Sequence, residues 1–170
     1  MFGGGCCAKD ALCNSRIASK LLPIMDETAL LGTWKLKSYV VTTAAGERST
    51  PYGENPTGYI TYSADGRMQV IGAADARKVP ATASPLSDER VELYDTMFAY
   101  AGSYSVAGDK VIHHVDVSWN EVWTGSNQTR IFELKQNLLT LTARIPEAVS
   151  GVETLYVAVW EKVAGPHARQ

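Results

Sequence analysis

Apolar and polar residues alternate in eight short segments of the chain, the first of which begins at residue 34. A period of two places successive side chains on opposite faces and is typical of β-strands with one buried face. Turn-forming residues separate the segments. The pattern predicts eight strands: Trp34–Thr43, Gly58–Ser63, Arg67–Gly72, Ala101–Val106, Lys110–Ser118, Gln128–Leu134, Leu138–Arg144 and Glu153–Lys162.

One segment between the third and fourth strands has a helical pattern instead. Ser87 is a suitable N-cap, and Asp88 and Glu89 favour the first turn because it lies at the positive end of the helix dipole. The pattern predicts a helix from Ser87 to about Ala99. Its apolar side comprises Val91, Leu93, Tyr94, Met97 and Phe98.

The connections between the strands alternate in length. Residues 64–66, 107–109 and 135–137 form tight hairpins, whereas the intervening connections are long. Successive connections of an up-and-down sheet lie at opposite ends, so the tight turns share one end and the long loops the other. Eight strands can close into a barrel that holds side chains or one small ligand. The sequence therefore predicts an all-β, eight-stranded antiparallel barrel, with a closed floor and a short helix near its mouth.

Alternation also predicts which side chains face the interior. In the fifth strand the inward face starts at Val111 and continues through every second residue to Trp119. Residues that oppose each other across a hairpin share a face, so Tyr104 opposes His113 and Phe132 opposes Leu141. The predicted ligand-binding residues are Tyr104, His113, Val115, Val117, Trp119, Arg130, Phe132 and Leu141.

Arg130 is the main polar candidate in this interior. It is predicted to oppose Ala143, a small residue that leaves room for a ligand. A charge inside a barrel needs a partner, because burial of an unpaired ion is costly. Arg130 therefore binds a carboxylate, enolate or carbonyl group of a ligand, or it packs against Phe132 and pairs with an internal carboxylate. Both alternatives are open at this point.

His113 is the second polar candidate. It could act as a general acid–base with Tyr104 as its partner, which makes His113, Arg130 and Tyr104 the candidate catalytic set. Alternatively, His113 is a neutral histidine of the barrel floor that hydrogen-bonds to Tyr104. Aromatic residues near the long loops either rim the mouth or dock the helix: Tyr94, Phe98, Tyr100, Trp119 and Trp123.

Motifs for metals and cofactors are weak. His114 and Asp116 share the outer face of one strand, but two solvent-facing ligands favour a cross-strand surface pair over a metal site. The chain has no zinc-binding helix motif, nucleophile elbow or dinucleotide fingerprint. We expect no metal and no cofactor.

Charge and hydropathy limit the classes of partner that the sequence supports. The formal net charge is −2 without a basic stripe, which argues against nucleic acid. No apolar run approaches the roughly 20 residues of a membrane span, and no signal peptide is recognisable. We expect a cytoplasmic protein whose barrel occupies residues 27–163. Residues 1–26 contain the three cysteines and are expected to form a disordered leader, which includes an alternative start at Met25. Residues 164–170 are expected to form a flexible tail.

Several segments resemble a known family. Gly32-Thr33-Trp34 resembles the Gly-x-Trp signature of lipocalins, whose tryptophan plugs the barrel floor beneath a basic residue of the last strand, here Lys162. The chain is similar to the lipocalin-like domain family of bacteria and fungi over about residues 27–163. The matching stretches are Leu31–Leu36, Pro51–Tyr59, Tyr62–Met68, Ile112–Ser118, Arg130–Leu134 and Val159–Val163.

The resemblance implies a fold more than an activity. Most members of the family have no assigned activity, and some look like companions of natural-product gene clusters whose barrels bind, isomerise or cyclise polyketide or terpenoid intermediates. No catalytic signature comes with the family, and Trp119-Asn120-Glu121 departs from its usual pattern at the mouth.

Three functional hypotheses follow. The first is a binding protein for a small hydrophobic molecule with an acidic or carbonyl group, in secondary-metabolite biosynthesis. The second is a cofactor-independent isomerase, cyclase or dehydratase, in which Arg130 stabilises an enolate and His113 or a tyrosine moves the proton. The third is an interaction module whose barrel is filled by its own side chains.

Overall fold

A computed structural model describes residues 27–146 and 153–165, so the expected leader and most of the expected tail lie outside the described residues. Short 3-10 turns lie at Glu27–Ala29 and Glu121–Trp123, and one helix, α1, spans Ser87–Asp95. The strands are β1 (Gly32–Thr42), β2 (Arg48–Ser49), β3 (Thr57–Tyr62), β4 (Arg67–Ala73), β5 (Met97–Ala107), β6 (Lys110–Ser118), β7 (Asn127–Lys135), β8 (Leu138–Pro146) and β9 (Glu153–Lys162).

The strands form one closed antiparallel barrel, which confirms the predicted fold. The order runs from β1 to β3 and then consecutively to β9, and β1 also pairs with β9, so that eight strands close the cylinder. The additional strand, β2, pairs with the end of β1 through Val41–Ser49 and Thr42–Arg48. Two residues carry no detectable period, which explains why the alternation did not predict this strand.

The hairpin registers are also confirmed. In β5–β6 and β7–β8 the opposed residues are those that the tight turns predict, and they are Tyr104–His113, Val106–Val111, Phe132–Leu141 and Leu134–Leu139. The turns fix the register because a one-residue slip would move each buried set to the outer face.

The floor of the barrel is sealed by aromatic and aliphatic packing. Trp34 is 2% exposed and its indole N–H donates to the carbonyl of Leu30 over 2.8 Å. The ammonium group of Lys162 lies 4.2 Å from the centre of the Trp34 ring and donates to the carbonyl of Leu31. This arrangement matches the floor that the resemblance implied.

A β-bulge corrects the predicted inward face of β6. The pairing with β5 shifts between Ala101, which opposes Val117, and Gly102, which opposes Val115. Gly102 permits the close approach at this bulge, since a Cβ atom there would lie 1.8 Å from the carbonyl oxygen of His114. The extra residue reverses the alternation, as bulges do. The prediction that Val117 faces the interior is therefore wrong, and its side chain is 60% exposed.

The predicted helix is too long and has the wrong cap. It ends at Asp95, and Met97 and Phe98 already belong to β5. Leu86 rather than Ser87 precedes the helix, and its backbone N–H donates to the Glu89 carboxylate over 2.7 Å. Phe98 faces inward because it fills the space above Gly72, where a Cβ atom would lie 2.3 Å from the ring. No residue of α1 is buried, so its apolar side contributes little to the core.

No helix within residues 27–146 and 153–165 combines the length and apolar character needed to cross a membrane.

Candidate functional site

The mouth half of the barrel contains a cavity of about 410 Å³. Its walls carry aromatic, aliphatic and a few polar side chains from seven strands and two connecting segments. The lining residues are Tyr39, Tyr52, Ile60, Val70, Phe98, Tyr100, Trp123, Gln128, Arg130, Leu141, Ala143, Ile145, Tyr156, Ala158 and Trp160. The floor half, by contrast, is filled by the protein's own core, so any ligand in the lumen lies near the entrance.

Arg130 lies in this cavity wall, half-buried. One Nη atom donates to the carbonyl of Thr129 over 2.9 Å, and the other donates to the side-chain oxygen of Gln128 over 3.3 Å. None of the ion pairs between described residues includes Arg130. The expected opposition to Ala143 continues the observed ladder by one step beyond Ile131–Thr142, and both side chains line the cavity. The internal carboxylate of the alternative interpretation is absent from the described part of the chain.

His113 is fully buried between two tyrosines. Its Nε2 lies 2.8 Å from the hydroxyl of Tyr62, and its Nδ1 lies 2.8 Å from the hydroxyl of Tyr100. The predicted hydrogen bond to Tyr104 is wrong, although Tyr104 does oppose His113 in the ladder, because the Tyr104 hydroxyl reaches down to the carbonyl of Ser63 instead. Burial lowers the pKa of His113 from 6.5 to about 3, and Coulombic interactions with Arg130 and His114 contribute less in the same direction.

The hydrogen-bond pattern assigns the tautomer of His113. A neutral imidazole has one N–H and one lone pair. Within the described residues, the buried hydroxyl of Tyr62 has His113 as its only hydrogen-bond partner, so it must donate to Nε2 if its proton is to be satisfied. Nδ1 then carries the hydrogen and donates to the oxygen of Tyr100. That arrangement leaves the Tyr100 O–H free to donate to a group in the cavity, which Tyr100 lines.

The tyrosine hydroxyls remain protonated at neutral pH. Burial raises the pKa of Tyr62 and of Tyr39 well above the usual value. Burial also raises the pKa of Tyr100, and the charge of Arg130 and a hydrogen bond from its guanidinium group oppose that rise. These groups therefore act as neutral hydrogen-bond donors beside a cation.

The predicted ligand-binding residues separate into three groups. Arg130 and Leu141 line the cavity. His113, Val115 and Phe132 face inward but are buried in the core outside the cavity lining. The remaining three lie elsewhere: Tyr104 near the floor, Val117 at the outer surface, and Trp119 partly buried between Tyr94 of α1 and Trp123.

Sequence reasoning missed several lining residues. Tyr39 faces inward because β1 has its own bulge between Leu36 and Ser38, which the alternation does not show. Tyr52 comes from a loop, and its ring packs edge-on against Tyr39 with the centres 5.0 Å apart. Tyr156 and Gln128 also line the cavity and are absent from the predicted ligand-binding set. Phe98, Tyr100 and Trp123, which the sequence placed at the mouth as possible rim residues, do line the cavity.

A second apolar depression, the outer trough, lies on the outside of strands β3 to β6. It has a volume of about 400 Å³ and its lining includes Tyr59, Ile71, Ala101, Val117 and Trp119. Trp119 stacks at 5.0 Å on Tyr94 of α1, so this pair docks the helix rather than forming the lumen wall. The outer trough carries no charged side chain among its described lining residues.

His114 and Asp116 form surface pairs, as the favoured interpretation predicted. His114 hydrogen-bonds to Ser105 over 2.9 Å and to Asn127 over 2.7 Å. Asp116 forms an ion pair with Arg67 at 2.7 Å. Within the described ranges, no three histidine, cysteine, aspartate or glutamate residues cluster as a metal site would require.

Comparison with known proteins agrees with this architecture. A family model described as a lipocalin-like domain matches residues 31–163. The chain belongs to the lipocalin-like domain family. This lipocalin-like protein is also similar to the 4'-hydroxy-3'-methoxypropiophenone carrier protein ppsC of Aspergillus oryzae, with 30% identity over 73 residues. The match covers 38% of this chain and 66% of the relative's length.

Proposed function

We propose that this lipocalin-like protein binds a small, largely apolar metabolite in the mouth half of its barrel and carries it within a biosynthetic pathway. The observation that carries this proposal is a cavity of about 410 Å³ in which Arg130 has no carboxylate partner among the described residues. An apolar pocket with a few convergent polar groups is the usual form of a small-molecule site. The cavity also argues against a barrel filled by its own side chains.

The energetics explain why a polar anchor is needed. Burial of roughly 300 Å² of apolar ligand surface contributes about 7 kcal/mol at ~25 cal/mol per Å². Association costs on the order of 4–15 kcal/mol. A charge-assisted hydrogen bond from Arg130 adds about 1.5–3 kcal/mol. Such a contribution lowers the dissociation constant by about tenfold or more.

The similarity to a protein named as a carrier supports a binding role. That relative's name specifies an aromatic ketone with hydroxy and methoxy groups, which is a small and largely apolar molecule. The seven aromatic side chains among the fifteen lining residues suit cargo of this kind.

The alternative of an isomerase or cyclase has less support. Its proposed base, His113, is buried, is hydrogen-bonded at both ring nitrogens and has a pKa lowered to about 3. A general base needs a pKa near the working pH and access to the substrate proton. Arg130 could still stabilise an oxyanion, but no described group with suitable access is available to accept a proton.

The test uses the fluorescent dye 8-anilinonaphthalene-1-sulfonate, an aromatic anion, and two matched variants. Ala143→Phe adds a ring inside the lumen, whereas Ala101→Phe adds the same ring in the outer trough. We expect saturable dye binding to the wild type and to Ala101→Phe, and its loss in Ala143→Phe with an unchanged circular dichroism spectrum. Loss in Ala101→Phe alone, or no saturable binding to the wild type, would contradict a lumen site.

A further inference from the structure

We propose that the cargo is an aromatic compound with an acidic hydroxyl group, and that Arg130 and Tyr100 bind it as its oxyanion. This inference rests on the proposed binding function and specifies the polar group of the ligand.

The positive charge of Arg130 favours an anionic group in the lumen. Of the fifteen described residues that line the cavity, Arg130 is the only one with a charged side chain. A half-buried guanidinium without a counter-ion is costly, and an anionic ligand removes that cost. A neutral carbonyl group would accept a hydrogen bond but would leave the charge uncompensated.

Two donors converge on the same part of the cavity. Arg130 and Tyr100 both line the cavity, and Arg130 lies close enough for its charge and hydrogen bonding to oppose the rise in the pKa of the Tyr100 hydroxyl. The Tyr100 oxygen also accepts the N–H of His113, which in turn accepts from Tyr62, so the Tyr100 proton remains for the ligand. One oxygen atom of a ligand can therefore receive an N–H from Arg130 and the O–H of Tyr100.

The surrounding walls favour a hydroxyl group on an aromatic ring over a carboxylic acid. The rings of Tyr39, Tyr52 and Phe98 contact one another with centres 5.0–5.7 Å apart and form one side of the cavity. Aromatic rings stack or meet edge-on with such walls. A carboxylate concentrates its charge on two oxygen atoms and is costly to desolvate. A phenolate spreads its charge over the aromatic ring, so its burial between aromatic walls costs less.

The proton that the ligand releases passes to water at the mouth. The ligand O–H bond breaks, its electron pair stays on the oxygen, and a water molecule accepts the proton. His113 does not accept it, because Nδ1 carries its own hydrogen and Nε2 accepts from Tyr62. The protein thus stabilises the anion without a catalytic base.

The experiment uses 4-hydroxyacetophenone, whose phenol and phenolate forms have separate ultraviolet absorption bands. It is titrated with the wild type and with Arg130→Gln and Tyr100→Phe, one pH unit below its free pKa. Quenching of tryptophan fluorescence measures occupancy independently. 4-Methoxyacetophenone, which cannot ionise, is the matched ligand control, and 4-acetylbenzoate is the carboxylate control.

We expect the phenolate band to appear on binding to the wild type and to disappear in Arg130→Gln, with binding weakened about tenfold or more. Tyr100→Phe should reduce the band to an intermediate level. Equal affinity for the methoxy control, a bound phenol that stays neutral, or tighter binding of the benzoate would overturn the inference. These outcomes leave the carrier proposal standing, because the dye experiment tests that proposal separately. It fails if the wild type shows no saturable dye binding, or if Ala101→Phe rather than Ala143→Phe abolishes that binding.

Discussion

The hydroxyl of Tyr100 lies 2.8 Å from Nδ1 of His113, and it links the buried floor of the barrel to the cavity. Tyr62 donates to the other ring nitrogen, so His113 in turn donates to the oxygen of Tyr100. The hydroxyl proton of Tyr100 therefore points into the lumen. His113 thus orients a donor in the site although it does not line the cavity. These hydrogen bonds, the charge of Arg130 and the bulge in β6 lead to four predictions.

Replacement of Tyr62 by phenylalanine should destabilise the protein. The substitution leaves Nε2 of His113 buried without a partner, and an unsatisfied buried polar group costs about 1–3 kcal/mol. Tyr104→Phe is the matched control, because its hydroxyl makes a part-exposed bond of 3.2 Å that water can replace. Urea unfolding measures both variants. Equal losses in the two would show that the buried bond between Tyr62 and His113 contributes no more to stability than the part-exposed bond of Tyr104.

The pH dependence of stability should reveal the low pKa of His113. Above its usual pKa of 6.5, this residue is neutral in both the folded and the unfolded chain and contributes nothing to the pH dependence. As pH falls from 6.5 towards 3, the unfolded chain binds a proton that the folded protein does not. The free energy of unfolding should therefore decrease by about 2 kcal/mol between pH 7 and pH 5 from this group.

Nuclear magnetic resonance provides the site-specific check of that prediction. The ring resonances of His113 should stay constant between pH 8 and pH 5 if the imidazole remains neutral. A titration of this ring near pH 6 would show that burial does not lower its pKa as described.

Substitution of Arg130 by methionine should weaken ligand binding without lowering the stability of the free protein. The variant removes a half-buried charge that has no ion-pair partner among the described residues, so the unfolding midpoint of the free protein should be unchanged or higher. Binding of an anionic aromatic dye should weaken by about 1.5–3 kcal/mol. Calorimetry measures both quantities, and a parallel loss of stability and binding would indicate a structural role for Arg130 instead.

The bulge in β6 predicts different effects for two neighbouring valines. Val115→Thr places a hydroxyl in the core at a side chain that is 3% exposed, which should cost about 1–3 kcal/mol. Val117→Thr makes the same change at a side chain that is 60% exposed, and it should alter stability by less than about 0.5 kcal/mol. The reverse order in thermal unfolding would show that Val117 faces the interior after all.

These residues also show what the sequence could predict. Period-two alternation and short turns are local signals, and they were sufficient for the eight barrel strands, the hairpin registers and the inward orientation of Arg130. A bulge adds one residue through a close backbone contact, here Gly102 against His114, and leaves no clear mark in the alternation. This bulge explains why the predicted inward orientation of Val117 is wrong, and the separate bulge in β1 explains why the alternation does not predict Tyr39.

The site itself depends on contacts between distant segments. Tyr62 and His113 are 51 residues apart, and Tyr52 reaches the lumen from a loop, so no local pattern brings these residues together. Strand length was likewise decided by tertiary packing: Phe98 covers Gly72 of the neighbouring strand, and the residues after Asp95 extend as a strand where their propensity had favoured a helix.

A crystal structure of the complex with 8-anilinonaphthalene-1-sulfonate would show whether the lumen is the binding site. We expect the rings of the dye among Tyr39, Tyr52 and Phe98 inside the barrel, with the sulfonate within hydrogen-bond distance of Arg130. Dye bound in the outer trough beside Val117, with the lumen occupied only by solvent, would contradict it.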